Sequence, residues 1–340
     1  MMKLLVQRAF VALVGLTLAA CDAPRSAEAP DADAPVVIRF ATDWKAQAEH
    51  GGFYQAVADG EYAKRGLDVQ IIQGGPAVNV PQLIAAGQVE MGLGSNAFIA
   101  MNLVAEKAPI RAVMAVFQKD PQVLLAHPNT GIAGIADMKG RPILLSDASV
   151  SGLWVWLKTK YDFSDDQVRK YTFNSAPFLA DPRAVQQGYL TSEPYTLKTE
   201  ANFEPQVFLL ADNGFAGYAA LVLAPQSLID EKPEVVRAFV EATAAGWRSY
   251  LHGDPTAADA LIMKDNPDMK PALLAQARDK MKSYGIVESG DAQTGGIGAM
   301  TEARWRAFYE DAAKPLYPAD IDVGAAYTLD FVSPQPQAGP

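Results

Sequence analysis

Short apolar segments alternate with amphipathic segments along the chain from residue 36 onward. Residues 36–43 (VVIRFATD) are apolar and β-branched and end in an acid, so they predict a buried strand. Residues 44–66 repeat apolar side chains at helical spacing in their second half, and Gly66 fits the end of that helix. Residues 67–75 (LDVQIIQGG) predict a second strand that ends in a glycine pair. Together these segments predict a strand–helix–strand unit of the size typical of a parallel crossover.

The segments that follow repeat this order of strand and helix. Residues 90–94 predict a strand, residues 97–108 a helix and residues 110–118 another strand. Residues 141–163 again predict a strand, a loop and a helix, and the chain from residue 233 onward is predominantly helical in pattern. Three strand–helix units in succession indicate an α/β fold with a parallel sheet.

The recurrence of this pattern predicts two doubly wound lobes joined by two crossings. We place the first crossing at residues 119–122 and predict that residues 218–229 include the strand that returns to the first lobe. Lobe 1 is then residues 36–119 plus 220–332, and lobe 2 is residues 120–219. A cleft between two such lobes suits a ligand that is trapped by hinge closure.

The amino-terminal residues predict an export signal. Lys3 and Arg8 precede an apolar run at residues 9–20, which is shorter than the about 20 residues that span a bilayer. Cys21, the only cysteine of the chain, stands where a bacterial lipoprotein signal places its acylated residue. A plain signal peptide with an incidental cysteine is the alternative. We therefore expect cleavage after residue 20 and a lipid anchor on the periplasmic face of the cell membrane.

Composition narrows the choice of partners. Residues 21–35 are rich in Pro, Ala and Asp and predict a disordered tether, and residues 333–340 predict a loose tail. The formal net charge is −10 with no basic cluster, which argues against nucleic-acid binding. One cysteine excludes a disulfide within the chain.

Polar and aromatic residues gather where the predicted strands end, the edge at which open α/β sheets bind ligands. The glycine pair among them would let the backbone approach a ligand closely. The candidates are Asp43, Trp44, His50, Gly74, Gly75, Ser95, Asn96 and Gln118 in lobe 1, and Ser149, Ser151, Glu193 and Tyr195 in lobe 2.

The residue types point to a planar ligand. Trp44, Tyr54 and Tyr195 can supply flat faces, each worth about 0.5–1.5 kcal/mol per ring pair beyond the buried area. Glu193 can accept two hydrogen bonds from an aminopyrimidine, and its charge would roughly double their strength. An acid before a proline at a predicted strand end is difficult to explain without a ligand.

Several candidates have a structural alternative. Trp44 and Tyr54 can belong to the core, His50 can cap a helix or contact the hinge, and Ser149 or Ser151 can serve as an ordinary helix N-cap. The three histidines lie far apart without metal-ligand spacing, so we expect no metal site.

The first strand–helix unit and two later positions also carry a family resemblance. The residues of the first unit that carry it are Asp43, Trp44, His50, Gly51 and Tyr54, followed by GLDV at residues 66–69. They resemble the thiamine-pyrimidine-precursor branch of the periplasmic binding proteins, the SsuA/THI5-like family. The resemblance implies that Trp44, His50, Gly51 and Tyr54 belong to the family's ligand-facing motif of the first lobe. Ser95 resembles the family's small polar residue after the third strand, and Glu193 resembles its second-lobe acid.

The resemblance implies a type II periplasmic binding protein fold and a solute-binding component of an ABC importer. Its partners would be a permease, an ATPase and a small planar N-heterocycle such as a thiamine pyrimidine precursor, with no cofactor and no catalytic residue. Relatives that bind thiamine pyrimidines commonly carry Pro-Asn soon after the Asp-Trp pair, where this chain has KAQA at residues 45–48. A flavin, a sulfonate or a nitrate-type anion is therefore the alternative ligand.

An enzyme is the alternative function. Pyrimidine synthases of the same fold resemble enzymes with a cysteine-rich iron motif, and this chain has no cysteine after Cys21. We therefore expect a binding protein and not an enzyme.

Overall fold

A computed structural model describes residues 34–76, 78–150 and 152–332. The predicted signal peptide, Cys21, most of the predicted tether, Ser151 and the tail at residues 333–340 lie outside the described residues. Among the helices described, none is both long and apolar enough to cross a membrane.

The described residues form two five-stranded mixed sheets with helices around them, which confirms the predicted α/β class. The strands are β1 (Val36–Ala41), β2 (Leu67–Ile72), β3 (Met91–Asn96), β4 (Ile110–Phe117), β5 (Gln122–Ala126), β6 (Ile143–Leu145), β7 (Val168–Lys170), β8 (Val185–Tyr189), β9 (Gln206–Leu209) and β10 (Ala219–Pro225). The α-helices are α1 (Gly51–Ala58), α2 (Val80–Ala85), α3 (Ala97–Ala105), α4 (Asp147–Val150), α5 (Leu153–Tyr161), α6 (Ala176–Ala180), α7 (Glu193–Glu200), α8 (Gln226–Glu231), α9 (Pro233–His252), α10 (Thr256–Asp265), α11 (Pro271–Ser283), α12 (Ala292–Gly295) and α13 (Glu302–Phe308).

The first sheet has the strand order β2-β1-β3-β10-β4. Strand β1 is parallel to both β2 and β3, as the strand–helix–strand pattern predicts. Strand β10 comes from much later in the sequence than its neighbours, and it runs antiparallel between β3 and β4. Its burial on both faces explains why its sequence is a continuous apolar run.

The second sheet has the order β7-β6-β8-β5-β9. Strand β6 is parallel to β7 and β8, whereas β5 is antiparallel to β8 and β9. Each sheet therefore contains one strand that reverses the direction of its neighbours, β10 in the first and β5 in the second. We keep the predicted boundaries of lobe 1 and lobe 2 as a proposal, with the first sheet in lobe 1 and the second in lobe 2.

Helix α1 packs closely on the long helix α9. An added Cβ at Gly51 would lie 2.0 Å from the ring of Tyr250, and one at Gly52 would lie 2.1 Å from the indole of Trp247. Only glycine leaves room for these rings, which fill the core behind β1. The glycine pair at the start of α1 thus fixes where the preceding loop, residues 42–50, meets the cleft.

Local structure differs from the sequence prediction in two places. The helix predicted to end at Gly66 is shorter, because α1 ends at Ala58 and Gly66 instead follows a separate 3-10 turn at Ala63–Arg65. Glu193 begins α7, four residues after strand β8 ends, and Pro194 occupies the first turn where a missing N–H costs nothing. The acid therefore lies at a helix start and not at the strand end itself.

Candidate ligand-binding site

A cavity of about 270 Å³ lies between the two sheets and is lined by residues of both lobes. This is about twenty times the space that one water molecule needs, so the cavity can hold an organic ligand of several rings. The predicted candidates that line it are Asp43, Trp44, His50, Ser95, Asn96, Ser149 and Glu193. Trp44 and Glu193 thus face one shared cavity from opposite lobes.

Other candidates lie away from the cavity, and their contacts explain why. Gly51 lies against the ring of Tyr250, where α1 packs on α9. The hydroxyl of Tyr54 donates to Asp265 Oδ2 at 2.8 Å, and both burial and this carboxylate raise the pKa of Tyr54. Gln118 is fully buried and donates to the carbonyl oxygens of Ala115 and Ala299.

The remaining candidates support the loops around the cavity or face elsewhere. The Gly74 amide donates to Trp44 O at 3.0 Å, and an added Cβ there would lie 2.2 Å from Thr42 O. Gly74 therefore supports the loop that carries Trp44. A Cβ on Gly75 would meet open space, and Tyr195, on α7, is absent from the lining.

A polar cluster closes the lobe 1 side of the cavity, where β1 and β3 end. Ser95 Oγ donates to Asp43 Oδ2 at 2.5 Å, and His50 Nε2 lies 3.3 Å from Asp43 Oδ1. His50 is 2% exposed, and its Nδ1 atom has no partner among the described residues. Less than 1 Å² of this nitrogen is accessible, so it is an unsatisfied buried group behind the lining and not a contact point for a ligand in the cavity.

This cluster does not have the order of a catalytic triad. In a triad the histidine removes the proton of the serine hydroxyl while the acid orients the histidine. Here the serine donates directly to the acid, so His50 has no serine proton to accept. The arrangement orients a carboxylate toward the cavity instead of activating a nucleophile.

Glu193 supplies the carboxylate of the lobe 2 side. Its Oε2 atom accepts from the Tyr189 amide at 2.8 Å, and its Oε1 atom lies 3.5 Å from the hydroxyl of Tyr171. Burial raises the pKa of Glu193, and the nearby carboxylate of Glu49 adds to the rise. The backbone bond holds the side chain in place and leaves acceptor capacity for a ligand.

Glu49 is a lining residue that is absent from the candidates predicted from the sequence. It is 5% exposed and accepts a short hydrogen bond from Thr191, which joins lobe 1 to lobe 2. Burial raises its pKa, and Asp43 contributes to the rise. The only signal in the sequence was its position next to His50, just before the predicted helix.

The charge of the lining has one sign. Asp43, Glu49 and Glu193 line the cavity, and none of the described residues that line it is a lysine or an arginine. A fourth acid, Asp120, is fully buried in the first crossing, where burial raises its pKa to about 7. The lining offers hydrogen-bond acceptors in excess and would repel an anion.

Aromatic rings from both lobes meet at the mouth of the cavity. The rings of Trp44 and Phe173 have centroids 4.9 Å apart, and Phe173 contacts Tyr171 at 5.3 Å. Phe173 is 52% exposed and has φ = +61°, which a bulky residue rarely adopts. Strained backbone at a cleft mouth is typical of a functional contact.

Tyr171 and Phe173 were also missed, because residues 171–178 have no clear period in the sequence. They follow the end of β7 directly. The rule that ligands bind beyond the carboxyl ends of strands would have selected them once that short strand was recognised.

The fold and the cleft define the class. Two mixed sheets, each with one reversed strand, have a cavity between them that both lobes line, which is the architecture of periplasmic binding proteins. The chain belongs to the NMT1/THI5-like family, whose model matches residues 47–258.

Individual relatives extend the comparison over nearly the whole chain. The chain is 26% identical to the riboflavin-binding protein RibY of Chloroflexus aurantiacus over 98% of this chain and 99% of the relative. It is 22% identical to the formylaminopyrimidine-binding protein of Halalkalibacterium halodurans over 85% of this chain and 88% of the relative. The periplasmic aliphatic sulphonate binding protein SsuA of Escherichia coli shares the fold, with a TM-score of 0.64 at 14% identity over 90% of this chain and 95% of that structure.

Proposed function

We propose that this protein is the solute-binding component of an ABC importer and that it captures a flavin, with riboflavin as the reference ligand. In this role the two lobes close on the ligand and present it to a membrane permease. No chemistry is done on the ligand. Two observations support this role. The chain belongs to the NMT1/THI5-like family, and it matches two binding proteins over most of their length.

The negative charge of the cavity lining is the observation that favours a neutral ligand over an anion. Three carboxylates line it and no described lining residue is a lysine or an arginine, so a sulfonate or nitrate would enter without a positive partner. Burying an unpaired anion beside carboxylates is strongly unfavourable. A neutral heterocycle that donates hydrogen bonds suits the same lining, since each carboxylate accepts them.

The size of the cavity and the rings at its mouth favour a ligand of several fused rings. Trp44 and Phe173 provide flat surfaces at one end, and Phe98 and Phe215 line the interior. The cavity volume of about 270 Å³ exceeds what a single pyrimidine ring would fill. A flavin combines a tricyclic ring with a ring N–H and a hydroxylated chain, which donate to acceptors such as Glu193 and Asp43.

A pyrimidine thiamine precursor is the second candidate ligand. Glu193 could accept from an exocyclic amine and from a protonated ring nitrogen, as predicted from the sequence. The formylaminopyrimidine-binding relative supports this alternative. A pyrimidine would leave the far end of the cavity to water.

We further propose that the protein acts outside the cytoplasm and that Cys21 carries a lipid anchor. Residues 1–20 have the pattern of a lipoprotein signal, and residues 22–35 would tether the domain to the membrane. Mass spectrometry of the amino-terminal peptide from the native host tests this point. A diacylated Cys21 supports it, and an unmodified Cys21 in the mature protein contradicts it.

Riboflavin fluorescence tests the ligand directly. We expect purified protein to quench riboflavin fluorescence saturably. The flavin ring would stack on Trp44, and at that distance the indole quenches the flavin's fluorescence. An excess of taurine or nitrate should not displace riboflavin, whereas a thiamine pyrimidine could compete. Displacement by taurine or nitrate, or no quenching at all, would contradict the proposal.

A further inference from the structure

Arg304, on helix α13, lies where the chain passes between the lobes. The first crossing is residues 118–121, between β4 and β5, and the second is residues 210–218, between β9 and β10. Arg304 comes from neither crossing, yet its guanidinium contacts both. It lies outside the cavity lining and therefore does not touch a ligand there.

The guanidinium binds one backbone carbonyl in each crossing. Its Nη2 donates to the carbonyl oxygen of Gln118 in a short hydrogen bond, and its Nε donates to the carbonyl oxygen of Ala216 at 3.1 Å. The same group lies over the ring of Tyr218, with its central carbon 4.4 Å from the ring centroid. One planar side chain therefore fixes the spacing between the two crossings.

Neighbouring residues hold this guanidinium in place. Asp291 lies 3.6 Å from Arg304 Nη1 and accepts from the Tyr218 hydroxyl at 2.5 Å. An added Cβ at Gly290, where φ is +52°, would lie 2.7 Å from Arg304 Nη1. The arginine is only 20% exposed, so solvent has limited access to these bonds.

The spacing of the crossings bears on closure of the cleft. Lobes of a hinged protein rotate through dihedral changes in the few residues that connect them. In this structure the lobes are in contact through Glu49 with Thr191 and through Trp44 with Phe173. The arrangement that Arg304 holds is therefore the one in which the two lobes touch across the cleft, which is the closed form of the cleft.

We infer that Arg304 is a positioning residue that holds the two crossings at the spacing of the closed cleft and so sets the affinity for the ligand without touching it. A lysine could not replace it, because a single ammonium lacks the rigid fork that reaches two carbonyls at once. The part of this inference that concerns affinity rests on the proposed function, whereas the part that concerns closure does not.

The matched variants are Arg304→Met and Arg306→Met. Both residues lie on α13, but Arg306 is 67% exposed and pairs with Glu302 on the surface. Hydrogen exchange of the ligand-free protein measures closure without any ligand. We expect Arg304→Met to exchange faster than wild type at residues 44–50 and 189–193, which face each other across the cleft, and Arg306→Met to match wild type.

Riboflavin binding then measures the effect on affinity. Losing these bonds destabilises the closed complex relative to the open one, so Kd should rise by about fivefold or more, mainly through a faster dissociation rate. Arg304→Lys should behave like Arg304→Met, although it keeps the charge beside Asp291.

Each outcome has a defined meaning. Unchanged exchange in Arg304→Met, or wild-type exchange and affinity in Arg304→Lys, would overturn the inference. If Arg304→Met and Arg304→Lys both lose cooperative melting, Arg304 is needed for folding, and that result would also overturn the inference. If wild-type protein binds no riboflavin, the proposed ligand fails while the exchange comparison still tests the hinge.

Discussion

The indole of Trp44 and the phenyl ring of Phe173 lie 4.9 Å apart across the mouth of the cleft, one from each lobe. A ligand held in the cavity would be covered by this pair. The two rings are inclined at 49°, so a flat ligand can stack on one of them and meet the edge of the other.

Replacement of Trp44 tests the contribution of this pair to binding. We expect Trp44→Ala to weaken riboflavin binding by about 1.5 kcal/mol, which is about tenfold in Kd. Isothermal titration calorimetry measures the change without relying on quenching by the indole, and Tyr284→Ala, an exposed ring outside the cavity, is the control. Equal affinity in Trp44→Ala and wild type would remove Trp44 from the site. The double variant with Phe173→Ala measures the coupling between the two rings.

Neutralising Glu193 tests the role of the lobe 2 carboxylate. Glu193→Gln keeps the shape and an oxygen for the Tyr189 amide but removes the charge that strengthens bonds from the ligand. We expect riboflavin binding to weaken by about 1–2 kcal/mol. Because burial raises the pKa of Glu193, the variant should melt at the same temperature as wild type or higher near pH 8. Glu204→Gln, in an exposed pair with Lys198, should change neither quantity.

Asp120 should make the stability of the protein depend on pH. Its pKa is raised from 3.8 to about 7, so the folded state binds a proton more readily than the unfolded chain between these two values. The free energy of unfolding should therefore fall as pH rises across this range, by about 1.4 kcal/mol per pH unit. Asp120→Asn keeps an oxygen for the Gln122 amide and should flatten this dependence in urea titrations between pH 4 and pH 8.

A control fixes the interpretation of that dependence. Asp268→Asn removes a carboxylate that is 80% exposed, and it should leave the pH profile unchanged. If the profiles of Asp120→Asn and wild type coincide, the buried carboxyl of the first crossing is not the titrating group.

Gly51 separates packing from ligand binding. The resemblance placed Gly51 in the ligand-facing motif, whereas the structure places it against Tyr250. We expect Gly51→Ala to destabilise the protein by about 1–3 kcal/mol through overpacking. Urea denaturation measures the loss, and Gly134→Ala, where a Cβ meets open space, is the control. Normal stability with lost riboflavin binding would return Gly51 to the site.

The sequence predicted the class of fold because its signals are local and repeated. Strands such as β1 and β2 alternate with helices at the spacing of parallel crossovers, and Gly66 marks the turn that leads into β2. Strand β10 was predicted as the return to the first sheet from its apolar run, and it pairs there between β3 and β4.

Part of the site follows directly from the strand ends. Asp43, Trp44 and Ser95 were selected by that rule and line the cavity. Tyr54 and Gln118 have the same residue types as ligand contacts, but their partners Asp265 and Ala299 are distant in sequence. No local pattern distinguishes a polar side chain that is satisfied inside the protein from one that faces a ligand.

Native mass spectrometry of gently purified protein tests most directly the claim that the acid-lined cavity holds a flat, hydrogen-bond-donating heterocycle. We expect an added mass equal to a flavin, carried by the same fraction of molecules in Tyr284→Ala as in wild type and by a smaller fraction in Trp44→Ala. A co-purified sulfonate or another anion, or an equal flavin-bound fraction in wild type and Trp44→Ala, would contradict it.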